Sequence, residues 1–419
     1  MFQIGFSMSR RINCTLIAAF VLLLHILPAH SQIVSQQSTK AQVEANWKTA
    51  GWSIPTGWTP VTSEAEAKSW ADQLSKVIES KDSSAFIDGL FEMDQLFDDS
   101  IGEIPEGSFK SGIQRGINDS LKASLKAMID GGDFSVRRTR NTKYGPVVLT
   151  RLLSTDGTVA YVLWRLIKNN KGAVKAVDFL SLGTGEWTSH TLARAAIINM
   201  PKEASFLQKL GGKQLEYSKG QEQFLELAKA QQAKDYKKVL ERYKSLPASL
   251  KKEKFIQMVR LNAAMQVDND EYVLAVGEFK QAHPNDLASE LHSIDFYFLK
   301  KDFAAMRNSI DSIISKVGPD SHLYGLKAVG YSSEEKHAEA ANTLLLAIKT
   351  EPNREDNYWS LIETALSAKD FKTVGAVLKS LVDRFDYKEF NFEEVDIYKP
   401  FLGSPEHKDF LEFLKKRTK

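Results

Sequence analysis

The sequence predicts a mainly α-helical protein, in which an α+β domain with helices first and an antiparallel meander sheet after precedes a solenoid of helix pairs. Three observations support this fold class. Apolar residues recur at helical spacing between residues 63 and 128. Runs rich in β-branched and aromatic residues, separated by turn signals, follow between residues 134 and 182. Beyond residue 220 the strand signals end and a repeat of about 34 residues begins.

The N-terminus has the layout of a cleaved signal peptide, which we assign to residues 1–31. Arg10 and Arg11 form a positive region, an apolar stretch follows, and Ala29 and Ser31 supply the small residues of a signal-peptidase site. We expect cleavage after Ser31 and export to the periplasm or the outside of the cell. The apolar stretch is shorter than the ~20 residues of a membrane-spanning helix. We therefore expect no stable membrane insertion after cleavage; an uncleaved anchor is the alternative.

Composition narrows the classes of function. Lys and Arg number 55 against 53 Asp and Glu, so no strongly basic surface for nucleic acid is expected. The only cysteine, Cys14, lies in the signal peptide, which leaves the mature chain without a disulfide, a thiolate ligand or a cysteine nucleophile. Catalytic motifs are missing, and the histidines lack carboxylates at ligand spacing. The sequence therefore predicts a non-enzymatic protein with no metal site and no cofactor.

Residues 32–61 read as a loose polar leader followed by a strap. Trp47, Trp52 and Trp58 lie close together and are separated by glycine and proline residues. Such a segment is typical of an irregular strap packed across a domain, because large aromatic side chains bury much area. A sugar-stacking surface is the alternative.

Residues 62–200 are predicted to form the α+β domain. Ser63 and Glu66 resemble a capping box at the start of the first helix. Further helices are expected over residues 83–96 and 108–128, the last of them ended by a glycine pair.

Four strands follow these helices in the prediction. They read as an antiparallel meander, because short Asp-Gly and Asn/Gly turns connect them. A helix beginning at Thr188 or Ser189 follows. The predicted strands are 134–139, 147–153, 159–167 and 174–182. Three helices followed by a sheet resemble the NTF2-like (cystatin-type) cone, a resemblance that would imply a pocket inside the cone.

Asp178 is the one candidate for chemistry in this domain. Alternation places it on the apolar side of its strand, where an isolated carboxylate is costly. One hypothesis makes Asp178 a general base in a small-ligand or isomerase-like pocket, as the NTF2-like resemblance implies. The other makes it half of a structural ion pair with Arg151 or Arg165, and this second interpretation is favoured.

The C-terminal half contains a repeat shown by two independent markers. Lys-Asp-aromatic tripeptides begin at Lys234, Lys301 and Lys369, spaced by 67 and 68 residues, close to twice 34. A proline series has intervals of 37, 35 and 33 residues; its members are Pro247, Pro284, Pro319 and Pro352. Each Asp-aromatic pair indicates a tight turn between two helices, and each proline ends the second helix.

This repeat resembles that of the tetratricopeptide proteins over residues 221–386, with the array assigned to 221–388. Residues 321–352 are the best copy, with small residues at Ala328 and Ala340 where the two helices approach closely. We expect residues 201–220 to be a linker and residues 389–419 to form a capping helix that covers the last exposed face.

The resemblance implies a binding surface on the concave face, lined by the first helix of each pair. Helical register places five candidate partner-binding residues there: His292, Phe296, His322, Trp359 and Glu363. Exposed aromatic side chains on that face would suit a peptide or protein partner; aromatic residues of the helix core are the alternative. The sequence thus predicts an exported scaffold or adaptor, with a ligand pocket around Asp178 as the alternative.

Overall fold

A computed structural model describes residues 37–417, apart from residues 132, 154–158, 200–219 and 285. The predicted signal peptide and all but the last residue of the predicted linker lie outside the described residues. The chain divides into two compact units, the first ending at His292 and the second running from Ser293. The α+β domain followed by a helical region is confirmed.

The first unit contains one antiparallel sheet, whose strand order β2-β3-β4-β5-β6 confirms the predicted meander. The two-residue strand β1 pairs with the end of β4. The strands are β1 (Thr59–Pro60), β2 (Asp133–Thr142), β3 (Gly145–Leu153), β4 (Val159–Lys168), β5 (Val174–Ser181) and β6 (Glu186–Trp187).

Five helices accompany the sheet: α1 (Lys40–Thr49), α2 (Glu64–Ser80), α3 (Met93–Ile101), α4 (Ser108–Gly131) and α5 (Thr188–Asn199). Helix α2 packs against the sheet. The Trp70 ring of α2 lies 6.1 Å from the Trp164 ring of β4, which also contacts Phe86 and Phe179. Strands β3 and β4 are buried along almost their whole length. They are therefore the centre of this unit, although each of the two strands carries one buried arginine, Arg151 and Arg165.

The segment predicted over residues 32–61 as a loose leader followed by a strap differs from expectation, because residues 40–49 of it form helix α1. Thr39 and Gln42 make a capping box at its start, and Val43 and Trp47 on one face are fully buried. The Trp47 indole N–H donates to the carbonyl of Tyr144 at 2.9 Å. Polar residues separate the few apolar residues of this segment, so no helical period is visible in its sequence. The prediction of a loose leader was therefore wrong.

The helix predicted over residues 83–96 is two elements. A π-helical turn, Ala85–Leu90, is followed by an extended residue, Phe91, which bridges to Ala176 of β5. Pairing with the sheet edge outweighs continuation of the helix, since the Glu92 amide donates to the Ala176 carbonyl at 2.8 Å. At Ser63 the predicted capping hydrogen bond is not made, although the helix does begin there.

Within the described residues, thirteen further helices follow. Those beginning in the first unit are α6 (Gln221–Gln232), α7 (Tyr236–Ser245), α8 (Ala248–Lys251), α9 (Lys254–Val267), α10 (Asn269–Ala282) and α11 (Leu287–Leu299). Those of the second unit are α12 (Phe303–Val317), α13 (Ser321–Ser332), α14 (His337–Thr350), α15 (Glu355–Ser367), α16 (Phe371–Phe385), α17 (Lys399–Leu402) and α18 (Pro405–Arg417).

In the second unit each helix from α12 to α16 packs against the next, and α13 also contacts α15. Ala328 and Ala340 are buried in the common core, as expected for residues that let paired helices approach closely. Helix α18 packs against α16 at the end of the run. The core of the unit continues into this last helix through Phe410, which is fully buried.

The turns between paired helices share one backbone geometry. Lys301, Glu335 and Lys369, 34 residues apart, have φ values of 58°, 59° and 58°. After each of the two lysines an aspartate caps the second helix, with Asp302 accepting from the Ala305 amide at 3.0 Å. The aromatic residue begins that helix, as expected from the sequence. A residue with left-handed backbone conformation therefore recurs at the 34-residue spacing found in the sequence.

We predict that Lys369→Gly stabilises the second unit by about 0.5–1 kcal/mol, because a side chain in the left-handed region is strained and glycine is not. The matched control is Ala368→Gly. Ala368 is the residue directly before Lys369; it is exposed and has a φ of −78°. That change should destabilise by a similar amount. Urea unfolding of both variants measures the difference; equal effects at the two positions would contradict the prediction.

Candidate functional site

Asp178 lies in a buried network of charged groups and not on an open surface. Its side chain and those of Arg165 and Asp99 are fully buried. Arg165 Nη2 lies 3.7 Å from Asp178 Oδ2 and also contacts Asp99. Arg151, the other candidate, pairs instead with Asp133 at 3.5 Å. The favoured interpretation of Asp178, a structural ion pair with Arg165, agrees with this geometry.

Hydrogen bonds engage both carboxylate oxygens of Asp178. Oδ1 accepts from the amides of Phe179 and Ser189 at 2.8 and 3.1 Å. Oδ2 accepts from the Ser189 hydroxyl at 2.6 Å, and that hydroxyl in turn accepts from the Trp52 indole at 3.0 Å. Three hydrogen bonds and the ion pair with Arg165 therefore hold the Asp178 carboxylate within the fold, which suits a structural role.

Trp47 and Trp52, two tryptophans of the predicted strap, pack against the Arg165 end of this network. The guanidinium carbon of Arg165 lies 4.3 Å from the centre of the Trp47 ring and 4.1 Å from that of Trp52. Cation–π contact of this kind compensates a buried charge in part. Trp47 and Trp52 are both buried, which agrees with a strap across the domain. The sugar-stacking alternative receives no support from these two residues.

Burial shifts the pKa of two groups in the network. It raises the pKa of the Asp178 carboxyl to about 6, against the opposing effect of Arg165 and Ser189. It lowers the pKa of His190 to about 4. The His190 ring stacks on Trp52 with centres 5.4 Å apart, and Nε2 lies 2.8 Å from the Ala50 carbonyl oxygen. The neutral imidazole is therefore the form that the fold accepts.

The structure does not place all five predicted partner-binding residues on one open face. His292 belongs to the first unit and is 6% exposed, with Nε2 3.4 Å from the Gly183 carbonyl oxygen. The prediction that His292 is available to a partner was wrong, because packing within the first unit leaves its side chain buried. Phe296, His322, Trp359 and Glu363 belong to the second unit and are half-buried.

Trp359 is partly covered by the chain itself. We call residues 386–398 the aromatic strap. The Trp359 ring lies 5.6 Å from that of Tyr387 and 6.3 Å from that of Phe390. Its indole N–H donates to Glu355 at 2.7 Å, and the Tyr387 hydroxyl donates to the same carboxylate. The predicted partner-binding tryptophan is therefore one wall of an aromatic cluster.

The aromatic strap continues this cluster along helix α15. Phe390 stacks on Phe392 with centres 5.2 Å apart, and Phe392 stacks on Tyr398 at 4.7 Å. The short helical turn Asp396–Tyr398 packs against α15. Sequence reasoning missed the strap residues, although the density of aromatic residues between 385 and 401 was a signal for them.

Glu363 differs from the other half-buried carboxylates of α15 and its neighbours. No hydrogen bond or ion pair reaches its side chain from residues 293–417, the part of the second unit that the structure describes. Burial alone raises the pKa of Glu363. By contrast, Glu334 pairs with Arg307, and Glu355 accepts from Trp359 and Tyr387.

Among the described residues, no group of three His, Cys, Asp or Glu side chains could hold a metal ion. Within the same part of the chain, no helix is both long enough and apolar enough to cross a membrane. A scan of protein-family models and searches of curated proteins and of solved structures return no match to this chain.

Proposed function

We propose that this chain is an exported, non-enzymatic scaffold or adaptor that binds a peptide or protein partner through its C-terminal helix pairs. The observation that carries the proposal is the face of α13 and α15 in the second unit. It presents half-buried aromatic and ionisable side chains, among them Glu363, which has no partner within residues 293–417. Half-buried aromatic and ionisable side chains on one helix face suit the binding of a peptide or protein segment.

The arrangement of the helices supports the same function. The first helices of two successive pairs, α13 and α15, contact each other, and each also packs against the second helix of its own pair, α14 and α16. Such arrays bind extended or helical segments because one rigid surface runs across several repeats. The signal-peptide pattern of residues 1–31 supports the exported location of that partner.

Site-specific cross-linking with the full-length chain tests the proposal. A photoreactive phenylalanine analogue replaces His322 on α13 in one protein and Leu345 on α14 in the other. Leu345 is 51% exposed and serves as the matched control. We expect a discrete cross-linked partner from the exported fraction of producing cells only with the analogue at position 322. Trp359→Ala should abolish that product. Equal products from both positions, or a product that survives Trp359→Ala unchanged, would remove this assignment of the binding face.

A further inference from the structure

We infer that residues 183–186, the turn between β5 and β6, are held by helix α9 and the start of helix α11 as an internal ligand of the helix pairs. Within the first unit, this contact joins the sheet to the helix pairs that follow it. Three observations support it: the space at Gly185, the burial of the charges around that residue, and the contact of His292 with Gly183. The consequence for partner binding rests on the proposed function, whereas the contact itself does not.

The backbone of Gly185 lies directly against an ion pair of the helix pairs. Lys254, the first residue of α9, pairs with Asp286, which comes directly before α11. Gly185 has a φ of 67°, in the left-handed region that favours glycine. A Cβ atom at this position would overlap Lys254 Nζ and lie 2.6 Å from Asp286 Oδ1. A side chain at position 185 therefore has no room unless the ion pair or the turn moves.

The charges around the turn are buried and of both signs. Lys254 is 6% exposed and donates to Asp286 Oδ2, while Asp286 Oδ1 accepts from the Ala288 amide at 2.9 Å. Glu186, at the end of the turn, is also buried and pairs with Arg194 of α5 at 3.2 Å. Burial raises the pKa of Glu186, whereas Arg194 and then Lys254 lower it. Removing one member of such a group leaves a buried charge without compensation, which is strongly destabilising.

The start of the turn contacts helix α11. His292 Nε2 lies 3.4 Å from the Gly183 carbonyl oxygen. The turn is folded back on the sheet, because the Gly185 amide donates to the Ser181 carbonyl at 2.7 Å. Helical register assigned His292 to the partner-binding face, and the structure places a segment of the chain itself beside it. In this part of the helix pairs the turn therefore takes the position predicted for a partner, which leaves α13 and α15 of the second unit for the partner.

Amide hydrogen exchange of the full-length chain, measured by mass spectrometry, tests the contact. Lys254→Met removes the cation beside the turn, so exchange in residues 179–187 should become faster by about tenfold or more. Arg260→Met is the matched control, because Arg260 lies on the same helix, is 7% exposed and pairs with Glu278 of α10. This control should speed exchange in α9 and α10 and leave residues 179–187 at the rate of the unaltered chain. If both variants speed exchange in residues 179–187 equally, or if Lys254→Met leaves it unchanged, the inference is overturned.

A reciprocal experiment starts from the turn and covers any general loss of folding in Lys254→Met. Gly185→Ala places a methyl group against the ion pair, so exchange in α9 should become faster. Gly172→Ala is the control: Gly172 has a φ of 81°, and a Cβ atom there would meet no other part of the described chain within 4 Å. Both variants strain a left-handed residue, but only the first should act on α9.

Equal effects of the two glycine variants on α9, or no effect of Gly185→Ala, would also overturn the inference. No partner molecule enters either exchange experiment. A negative result here therefore leaves the scaffold function standing, and a negative cross-linking result leaves this inference standing.

Discussion

Replacing Arg165 by methionine is expected to lower the free energy of unfolding of the first unit by about 3–5 kcal/mol. The substitution keeps much of the side-chain volume but removes the one cation between Asp99 and Asp178, whose side chains are fully buried. Two buried carboxylates would then face each other without compensation. Trp47 and Trp52 would also lose the guanidinium group on which they stack. Urea unfolding followed by tryptophan fluorescence measures the loss.

Lys168→Met is the matched control, because Lys168 lies on the same strand and also forms an ion pair, with Glu66 at 2.6 Å. Both partners of that pair are about one-third exposed, 38% and 32%. Water screens such a pair, so its removal should cost less than about 1 kcal/mol. Comparable losses for the two variants would show that the buried network does not hold the domain together.

His190 is expected to make the first unit less stable as pH falls from 6.5 towards 4. Burial lowers its pKa from 6.5 to about 4 in the folded chain. In that window the unfolded chain binds the proton and the folded chain does not, so acid favours unfolding. The difference between the two pKa values corresponds to about 3 kcal/mol, present above pH 6.5 and lost by pH 4.

Comparison with His190→Gln isolates this contribution. Glutamine keeps a donor for the Ala50 carbonyl, which His190 contacts at 2.8 Å, but does not titrate. Asp178 acts in the opposite direction. Because its pKa is raised in the folded chain, the folded chain takes up a proton below pH 6 and is stabilised there relative to the unfolded chain. Because Asp178 is present in both proteins, its effect cancels in the difference. Parallel stability curves for the two proteins between pH 4 and 6.5 would contradict the prediction.

The regular elements were accessible from the sequence because their signals are local. The four strands, the helices around them and the turns at Lys301 and Lys369 follow from alternation, helical period and turn chemistry within a few residues. The pairing of Asp178 with Arg165 was also within reach, since these residues lie opposite each other in the register of β4 and β5. The second anion of that network was not, because Asp99 comes from helix α3, 66 residues away.

The candidate binding site divides in the same way. Periodicity alone put Trp359 and Glu363 on one face of a helix, one turn apart. It could not show that His292 is buried, nor that Tyr387 and Phe390 fold back over Trp359, 28 and 31 residues further along the chain. Helical register assigns a side chain to a direction, whereas exposure depends on which distant segment packs in that direction.

The sequence by itself therefore determined the fold class, the order of sheet and helix pairs, and the 34-residue spacing of their turns. Only the tertiary structure decided which distant groups meet: Arg165 is flanked by two carboxylates and two tryptophans, and Trp359 is covered by the aromatic strap. The physical reason is that backbone conformation follows from neighbours in the chain, while the energy of a buried charge depends on groups that folding brings from far away.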